Sequence, residues 1–466
     1  MDNVSNKKIV ILGAGVTGLT IAAELSKKYK DKVLVIEKEN FLGGLAATLS
    51  EDGLLVDLGS HRLHRETPLK VIHYIEKTTG EKLLKRPRKG KVYINNKFIS
   101  YPPNVFGILE VIPIQEAINF CFSYLKHFVL FFRKKGENFE EEMIRKGGKD
   151  IYESFYKDFA EKLWGRNPKD ISIDAARKHR SYGNFFVIIK RLLRFNNYFF
   201  YPKQGIGQIS DKLVDKTLGN RGNIIKGTSI KKVFLDNNRV AKIEIENSQG
   251  KRDIIDIDLL ISTIPIDKLY SLVFNGKEDG CKLEWREVRI VYIVIKESLP
   301  YNNETYYFPS LYITLGRVSR LQKYSPYLNS HLDGTLLTIE IPFSTGDKIY
   351  NMEDPELLEL CLKDLKKVGI LKNYSEVLRY FSLKLEKSYP LYVTGWRSNF
   401  FYIYDKLETI NNLFTIGRRG LFLHCNIDHC IIQGLKLSEL LLDDKWRNRK
   451  LWDKEVREFL KFNPRD

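Results

Sequence analysis

Near its start the chain reads Gly13-Ala14-Gly15-Val16-Thr17-Gly18, directly after a short β-branched run at residues 8–12 and directly before a helix-patterned stretch at 19–27. That order of strand, turn and helix leaves few folds open. Each glycine answers a separate steric demand: Gly13 the tight turn, Gly15 an unobstructed approach for a pyrophosphate, Gly18 close packing of helix on strand. Unpaired N–H groups at the helix start, together with its dipole, favour an anion there. A second strand at 32–37 ends in Glu37, 19 residues after Gly18, the separation at which a carboxylate reaches ribose hydroxyls. With all these parts in register, the segment predicts a Rossmann-type dinucleotide-binding unit in an α/β fold. Ordinary turns would leave Glu37 without a role.

The rest of the composition sets bounds. A length of 466 residues suggests about three domain-sized units. Hydrophobic residues at 43% and charged residues at 29% argue against both disorder and a membrane bundle, so a large buried core is expected. The N-terminal residues lack the apolar stretch and cleavage site of a secretory leader, and a cytoplasmic location is expected. Cys121, Cys281, Cys361, Cys425 and Cys430 are odd in number and mostly scattered, which predicts thiols rather than a disulfide framework. The formal charge of +18 attracts phosphates, nucleic acid or an anionic surface alike. The basic residues are dispersed and no nucleic-acid module is seen, so no nucleic-acid partner is expected. Residues 105–132 are rich in Phe, Ile and Leu, but Glu110, Gln115, Glu116, Asn119 and Lys126 interrupt them. A packed helical pair is predicted there, with peripheral contact to the inner face of a membrane as the other reading.

Residues 37–47 contain Glu37, Lys38, Gly43, Gly44, Leu45 and Ala46, and resemble the extended nucleotide motif of the flavin amine oxidase superfamily. That superfamily also holds protoporphyrinogen oxidases, carotenoid desaturases and UDP-galactopyranose mutases. Residues 55–61, ending in Gly59, Ser60 and His61, are similar to the loop these proteins lay against the isoalloxazine ring. FAD is therefore the implied cofactor. Residues 224–257 alternate, with turns at 236–238 and 248–250, and predict a β-meander. Residues 259–265 resemble the strand that returns beneath the adenosine. Gly417, Arg418 and Arg419 precede Asn426, Ile427 and Asp428 and a helix-patterned run to 442, whose N-terminus would offer positive charge to the flavin pyrimidine. His424, Cys425, His429 and Cys430 do not follow a usual structural zinc spacing, and no metal is expected.

The nucleotide-binding pieces are then 1–76, 196–281 and 386–445. Between them, a helical segment at 77–195 and a β-rich segment at 282–385 are expected to form a mixed helical and antiparallel-sheet substrate domain, with 446–466 as a helical tail. Four stretches resemble UDP-galactopyranose mutases of the eukaryote-like type. Tyr101 and Asn104 match a loop that stacks and hydrogen-bonds uracil, with Asn104 where glutamine is usual. Trp164 and Arg180 match residues brought toward the sugar. Asn196 and the turn at Gly205 and Gly207 match the pocket floor. Tyr307, Arg317 and Tyr324 keep the mutase spacing, with Thr305 replacing an aromatic residue. The resemblance implies Tyr307, Tyr324 and Tyr389 as hydroxyl donors and Arg317 and Arg418 as a diphosphate clamp, which act with His61 in catalysis. It further implies that N5 of the reduced flavin acts as nucleophile on a UDP-sugar, or another small anionic substrate, and interconverts pyranose and furanose forms, with NAD(P)H as an external reductant.

Two other classes share the fold. One is an FAD-dependent oxidoreductase of the protoporphyrinogen oxidase, amine oxidase or desaturase type; its apolar or cationic substrates suit Arg180, Arg317 and Arg418 poorly. The other is a binding protein like the Rab escort and dissociation-inhibitor proteins, which the intact Gly13, Gly15, Gly18 and Glu37 disfavour. No oligomeric state is implied.

Overall fold

Short apolar runs buried on both faces mark strands of a parallel sheet covered by helices on each side. Ile9–Leu12, Val33–Ile36 and Leu259–Ser262 are buried throughout. The computed structural model describes residues 8–101, 111, 113, 115, 136–178, 197–276, 280–299, 302–372 and 376–464. In it these runs form a five-stranded sheet in the order Asn223–Ile225, Val33–Ile36, Ile9–Leu12, Leu259–Ser262, Leu413–Thr415. Every pairing is parallel, with Ile9 opposite Val33 on one side and Leu259 on the other. Parallel neighbours need long crossovers, and here the crossovers bring together three stretches distant in sequence. Helices Val16–Tyr29 and Ile427–Leu442 cross closely: a Cβ on Gly434 would stand 2.8 Å from that of Thr20. The α/β class expected from the glycine turn is observed, and so is the meander. Its strands are Thr228–Asp236, Arg239–Asn247 and Arg252–Asp256, and its first turn holds Asn237 and Asn238 at φ of 46° and 56°, the mirror-image geometry that suits strand twist.

A seven-stranded sheet forms the second layer, in the order Val377–Leu391, Glu284–Ile295, Thr335–Phe343, Arg317–Ser319, Thr305–Tyr307, Gly90–Ile94, Lys97–Tyr101. It is antiparallel except where Tyr307 runs parallel beside Val92. Helix Asp354–Lys367 is fixed at its start by a reciprocal cap between Glu353 and Glu356, and it buries Leu357, Cys361 and Leu365 in the core beneath this sheet.

Three expectations about the segments need correction. The boundary at 76/77 falls inside helix Leu69–Thr79, which ends at a left-handed Gly80. The boundary at 385/386 falls inside strand Val377–Leu391, whose alternating exposure masks it as polar sequence. The segment 77–195, expected to be helical, opens with strands Leu84–Pro87, Gly90–Ile94 and Lys97–Tyr101, two of which extend the second sheet. Among the described residues no helix is long and apolar enough to cross a membrane. Apart from 111, 113 and 115, the run 105–132 lies outside the described residues.

Candidate functional site

A cavity of about 2090 Å³ begins at the glycine turn. Helix Val16–Tyr29 starts from Gly15 without a side-chain cap and without an acidic residue in its first turn, so its N-terminal N–H groups are left for an anion. The two outer glycines are sterically required: a Cβ on Gly13, at φ 97°, would lie 2.3 Å from Thr263 Oγ1, and one on Gly18 would lie 2.1 Å from the Gly13 carbonyl oxygen. A Cβ on Gly15, by contrast, would meet nothing within 4 Å on the cavity side. Glu37 is oriented by the backbone N–H of Ala14, which donates to Oε2 at 2.7 Å, and by that of Glu39, which donates to Oε1 at 3.0 Å. An open second glycine, an uncapped helix and a fixed carboxylate fit a dinucleotide.

The far end is built on one row of the second sheet. Residues directly opposed across a sheet point to the same face. Register places Ile99, Val92, Tyr307, Arg317, Glu340, Ile290 and Leu383 in one such row, and all seven line the cavity. Arg317 and Glu340 are therefore cross-strand neighbours, and they pair through two bonds, Nε to Oε1 at 2.9 Å and Nη2 to Oε2 at 2.6 Å. Ser60 donates to the same carboxylate from its backbone N–H and its hydroxyl, each at 2.8 Å. Against its burial, Arg317 holds the Glu340 carboxyl below the usual range.

More cations surround this row. Arg62 Nη2 donates to the Tyr307 hydroxyl at 2.8 Å, while its Nη1 stands 3.6 Å from the buried Glu304. The Arg88 guanidinium lies 5.2 Å over the Tyr101 ring, and its Nε and Nη2 are buried without a hydrogen-bond partner among the described residues. Arg418 donates from Nε to the Ser388 carbonyl at 3.1 Å and from Nη1 to the Cys425 carbonyl at 2.6 Å, and it sits 4.8 Å over the Tyr389 ring. His61 Nε2 is 3.0 Å from the Leu58 carbonyl; since a carbonyl only accepts, this nitrogen carries the proton. Burial pushes the His61 imidazole down to about 4, opposed by Glu340 and aided by Arg317 and Arg418, so the ring is neutral at neutral pH.

Lys162 secures the loop that links Tyr307 to Arg317. Its Nζ donates to the carbonyls of Phe308 at 2.7 Å, Ser310 at 3.0 Å, Ile313 at 2.5 Å and Leu315 at 2.6 Å. Burial pushes this ammonium down to about 7, with Asp364 and Asp158 acting to keep its proton.

At the nucleotide end Gly13, Gly15, Val16, Thr17, Glu37, Lys38, Gly43, Gly44, Leu45, Ala46, Ser60, His61, Gly417, Asn426 and Ile427 line the cavity, and farther along Tyr101, Trp164, Tyr307, Arg317, Tyr389 and Arg418 do. Gly18 and Gly59 do not line it; Gly18 packs under the turn, and Gly59 passes beneath Glu340. Two expected contacts are corrected. Asp428 is buried beside His429 at the start of helix Ile427–Leu442. Tyr324 is fully buried: its hydroxyl is 2.8 Å from Thr305 Oγ1, and its ring packs on Phe199 and Tyr201. Thr305 supplies the polar partner for the inward-turned hydroxyl. Asn104, Arg180 and Asn196 lie outside the described residues. Arg62, Arg88, Lys162 and Glu340 were not expected; adjacency to His61 was the one local signal for Arg62, and the others depend on register and distant contacts.

The profile of the flavin containing amine oxidoreductase family matches residues 16–406. The chain is 24% identical over 228 residues to a probable UDP-galactopyranose mutase of Klebsiella pneumoniae, covering 47% of this chain and 55% of that protein. It is 28% identical over 235 residues to a dTDP-fucopyranose mutase of Escherichia coli, with the same shares covered. The matched region thus spans about half the length of these curated relatives. A crystal structure of reduced UDP-galactopyranose mutase superposes with a TM-score of 0.79 at 21% identity, covering 94% of each chain, which is a likeness of fold.

Proposed function

The chain belongs to the flavin containing amine oxidoreductase family, and from that premise we propose that it holds FAD in the cradle between Gly13 and Glu37 and interconverts the pyranose and furanose forms of a nucleotide-diphosphate sugar such as UDP-galactose. The observation that carries this reading is the joining of two unlike ends in one cavity. One end is a dinucleotide cradle; at the other, Arg62 and Arg317 pair with the buried carboxylates Glu304 and Glu340, while Arg88 and Arg418 stand over the Tyr101 and Tyr389 rings. Planar guanidinium forks suit the roughly two negative charges of a diphosphate. The mutase relatives act on nucleotide sugars of this class by their names, which supports the same assignment.

When bound, reduced flavin supplies the nucleophile for the anomeric carbon. The chain's own residues handle the leaving group. Arg317 and Arg418 are braced by Glu340 and by the carbonyls of Ser388 and Cys425, so their charge is preorganised where phosphate charge develops. Arg88 brings two buried nitrogens that a phosphate oxygen would satisfy. Tyr101 and Tyr307, with ring centroids 4.5 Å apart, offer an aromatic wall for the base or sugar. His61 keeps Nε2–H on the Leu58 carbonyl, which leaves Nδ1 as the acceptor for a hydroxyl proton. An amine or polyene oxidised by hydride removal would find little use for this cationic end.

The test is to reduce the flavin-loaded protein with dithionite, add UDP-galactopyranose and UDP-galactofuranose separately, and separate the products by chromatography. Either sugar should relax to the same mixture, and only after reduction. In Arg317→Ala the dissociation constant for UDP should rise at least about tenfold, a loss of about 1.4 kcal/mol, with flavin retained. No interconversion, or loss of flavin with UDP affinity unchanged, would overturn the reading.

A further inference from the structure

The thiols of Cys425 and Cys430 take no part in the chemistry above, where only the Cys425 carbonyl is used. Helix Ile427–Leu442 is capped by Asn426, so the two cysteines occupy the residue before the cap and the fourth residue of the helix. Side chains at those positions regularly meet across a helix start, where they are commonly apolar. Here they bring two sulfurs to 3.7 Å.

The surroundings make the two thiols unequal. A hydrogen bond from Cys425 holds the Cys430 thiol below its usual range against its burial, and Thr17 and Arg418 act in the same direction. Cys425 receives a hydrogen bond on its sulfur from the Gln433 amide at 3.8 Å, and its carbonyl is the partner of Arg418 Nη1. Both cysteines line the cavity, Cys425 buried and Cys430 half-buried. Cys361 is fully buried, and burial pushes its thiol up.

We propose that Cys425 and Cys430 are a reversible redox pair that closes into an intramolecular disulfide across the start of helix Ile427–Leu442 by exchange with a small-molecule disulfide. The Cys430 thiolate attacks one sulfur of that disulfide and expels a thiolate. Cys425 then gives up its proton and displaces the second thiolate from Cys430. Two protein thiols become one disulfide, one small disulfide becomes two thiols, and no other electron carrier takes part. The sulfurs must approach by roughly 1.6 Å to reach disulfide bonding distance. Because the Cys425 carbonyl holds Arg418, the thiol state is registered at an arginine of the cationic cavity wall.

The full chain as purified would be equilibrated with reduced and oxidised glutathione at graded ratios, quenched with acid, alkylated and examined by peptide mass spectrometry. Cys425 and Cys430 should pass together from doubly alkylated to mutually linked. The midpoint should follow the squared concentration of reduced glutathione divided by the concentration of oxidised glutathione, the dependence of an internal disulfide. Cys425→Ser should instead accumulate glutathione on Cys430. A wild-type pair that stays doubly alkylated in the most oxidising buffer, a wild-type chain that keeps glutathione on Cys430 with Cys425 alkylated, or a Cys425→Ser chain with unmodified Cys430 would each overturn the proposal.

Discussion

His61 faces Arg317, Arg418 and Glu340, and its burial, with the net effect of those neighbours, brings the ring down to about 4 from its ordinary 6.5. As pH falls the unfolded chain takes up this proton first. The contribution to stability is therefore intact above about 6.5, declines between 6.5 and 4, and levels off below. Its full size is on the order of 3 kcal/mol as an upper bound, since each tenfold change in proton affinity is worth about 1.4 kcal/mol. Asp57 runs the other way: burial raises it to about 6, so its contribution is present at low pH and is lost as pH rises through that value. The two slopes oppose each other in the intact protein, so the difference between variants is the clean quantity. His61→Asn should remove the acid-side loss, leaving a melting temperature that falls less between pH 6.5 and 4 than in the parent while matching it near neutrality. An identical pH profile would mean that the ring takes up its proton at the same pH in the folded and unfolded chains. His61, Arg317 and Arg418 are legible in the sequence because short motifs surround them. Glu340 is not, because it meets Ser60 across 280 positions of chain and its pairing with Arg317 follows from strand register alone. Tyr324 sits in an equally good motif yet turns inward, because a motif records spacing and not which side of a loop has room.

At the scale of elements, helix Lys157–Trp164 reaches the loop between Tyr307 and Arg317 through Lys162. Replacing the ammonium with an apolar chain strands four carbonyl oxygens, and the cost of uncompensated buried polar groups places the loss at about 3 kcal/mol. Lys162→Met should lower the midpoint of urea unfolding accordingly. It should also weaken UDP binding about tenfold, because Tyr307 and Arg317 stand on the strands that this loop joins, while flavin stays bound. A stability loss with UDP affinity intact would reduce Lys162 to a structural tie. Sequence patterning is strongest for elements buried on both faces, as in Ile9–Leu12 and Leu259–Ser262, where nearly every residue is apolar. It is weakest for Val377–Leu391, whose lysines and tyrosines alternate between solvent and sheet, so its apolar signal is half strength and the expected segment boundary falls inside it.

For the whole molecule, the cavity ties the chain together. Its nucleotide end is assembled from the turn at Gly13 and Gly15, from Thr263 directly after strand Leu259–Ser262, and from Gly417 and Asn426 near the other end of the chain. A cofactor bound there contacts all three stretches only when they are folded together, and at a hundredfold excess over its dissociation constant it adds about 2.7 kcal/mol. Gly15 separates the contribution of the ligand from that of the fold. Its backbone angles, φ −75° and ψ 174°, are open to any residue, and an added Cβ meets no protein atom within 4 Å. Without cofactor, Gly15→Ala should melt at or slightly above the parent, because alanine loses less freedom on folding, a gain of about 0.4–1 kcal/mol. With FAD added, the rise in melting temperature expected of the parent should shrink by more than half, since the methyl group occupies the approach that a pyrophosphate needs. A cofactor-free protein that melts well below the parent would make Gly15 part of the scaffold, and a full FAD-induced rise would place the pyrophosphate somewhere other than this turn.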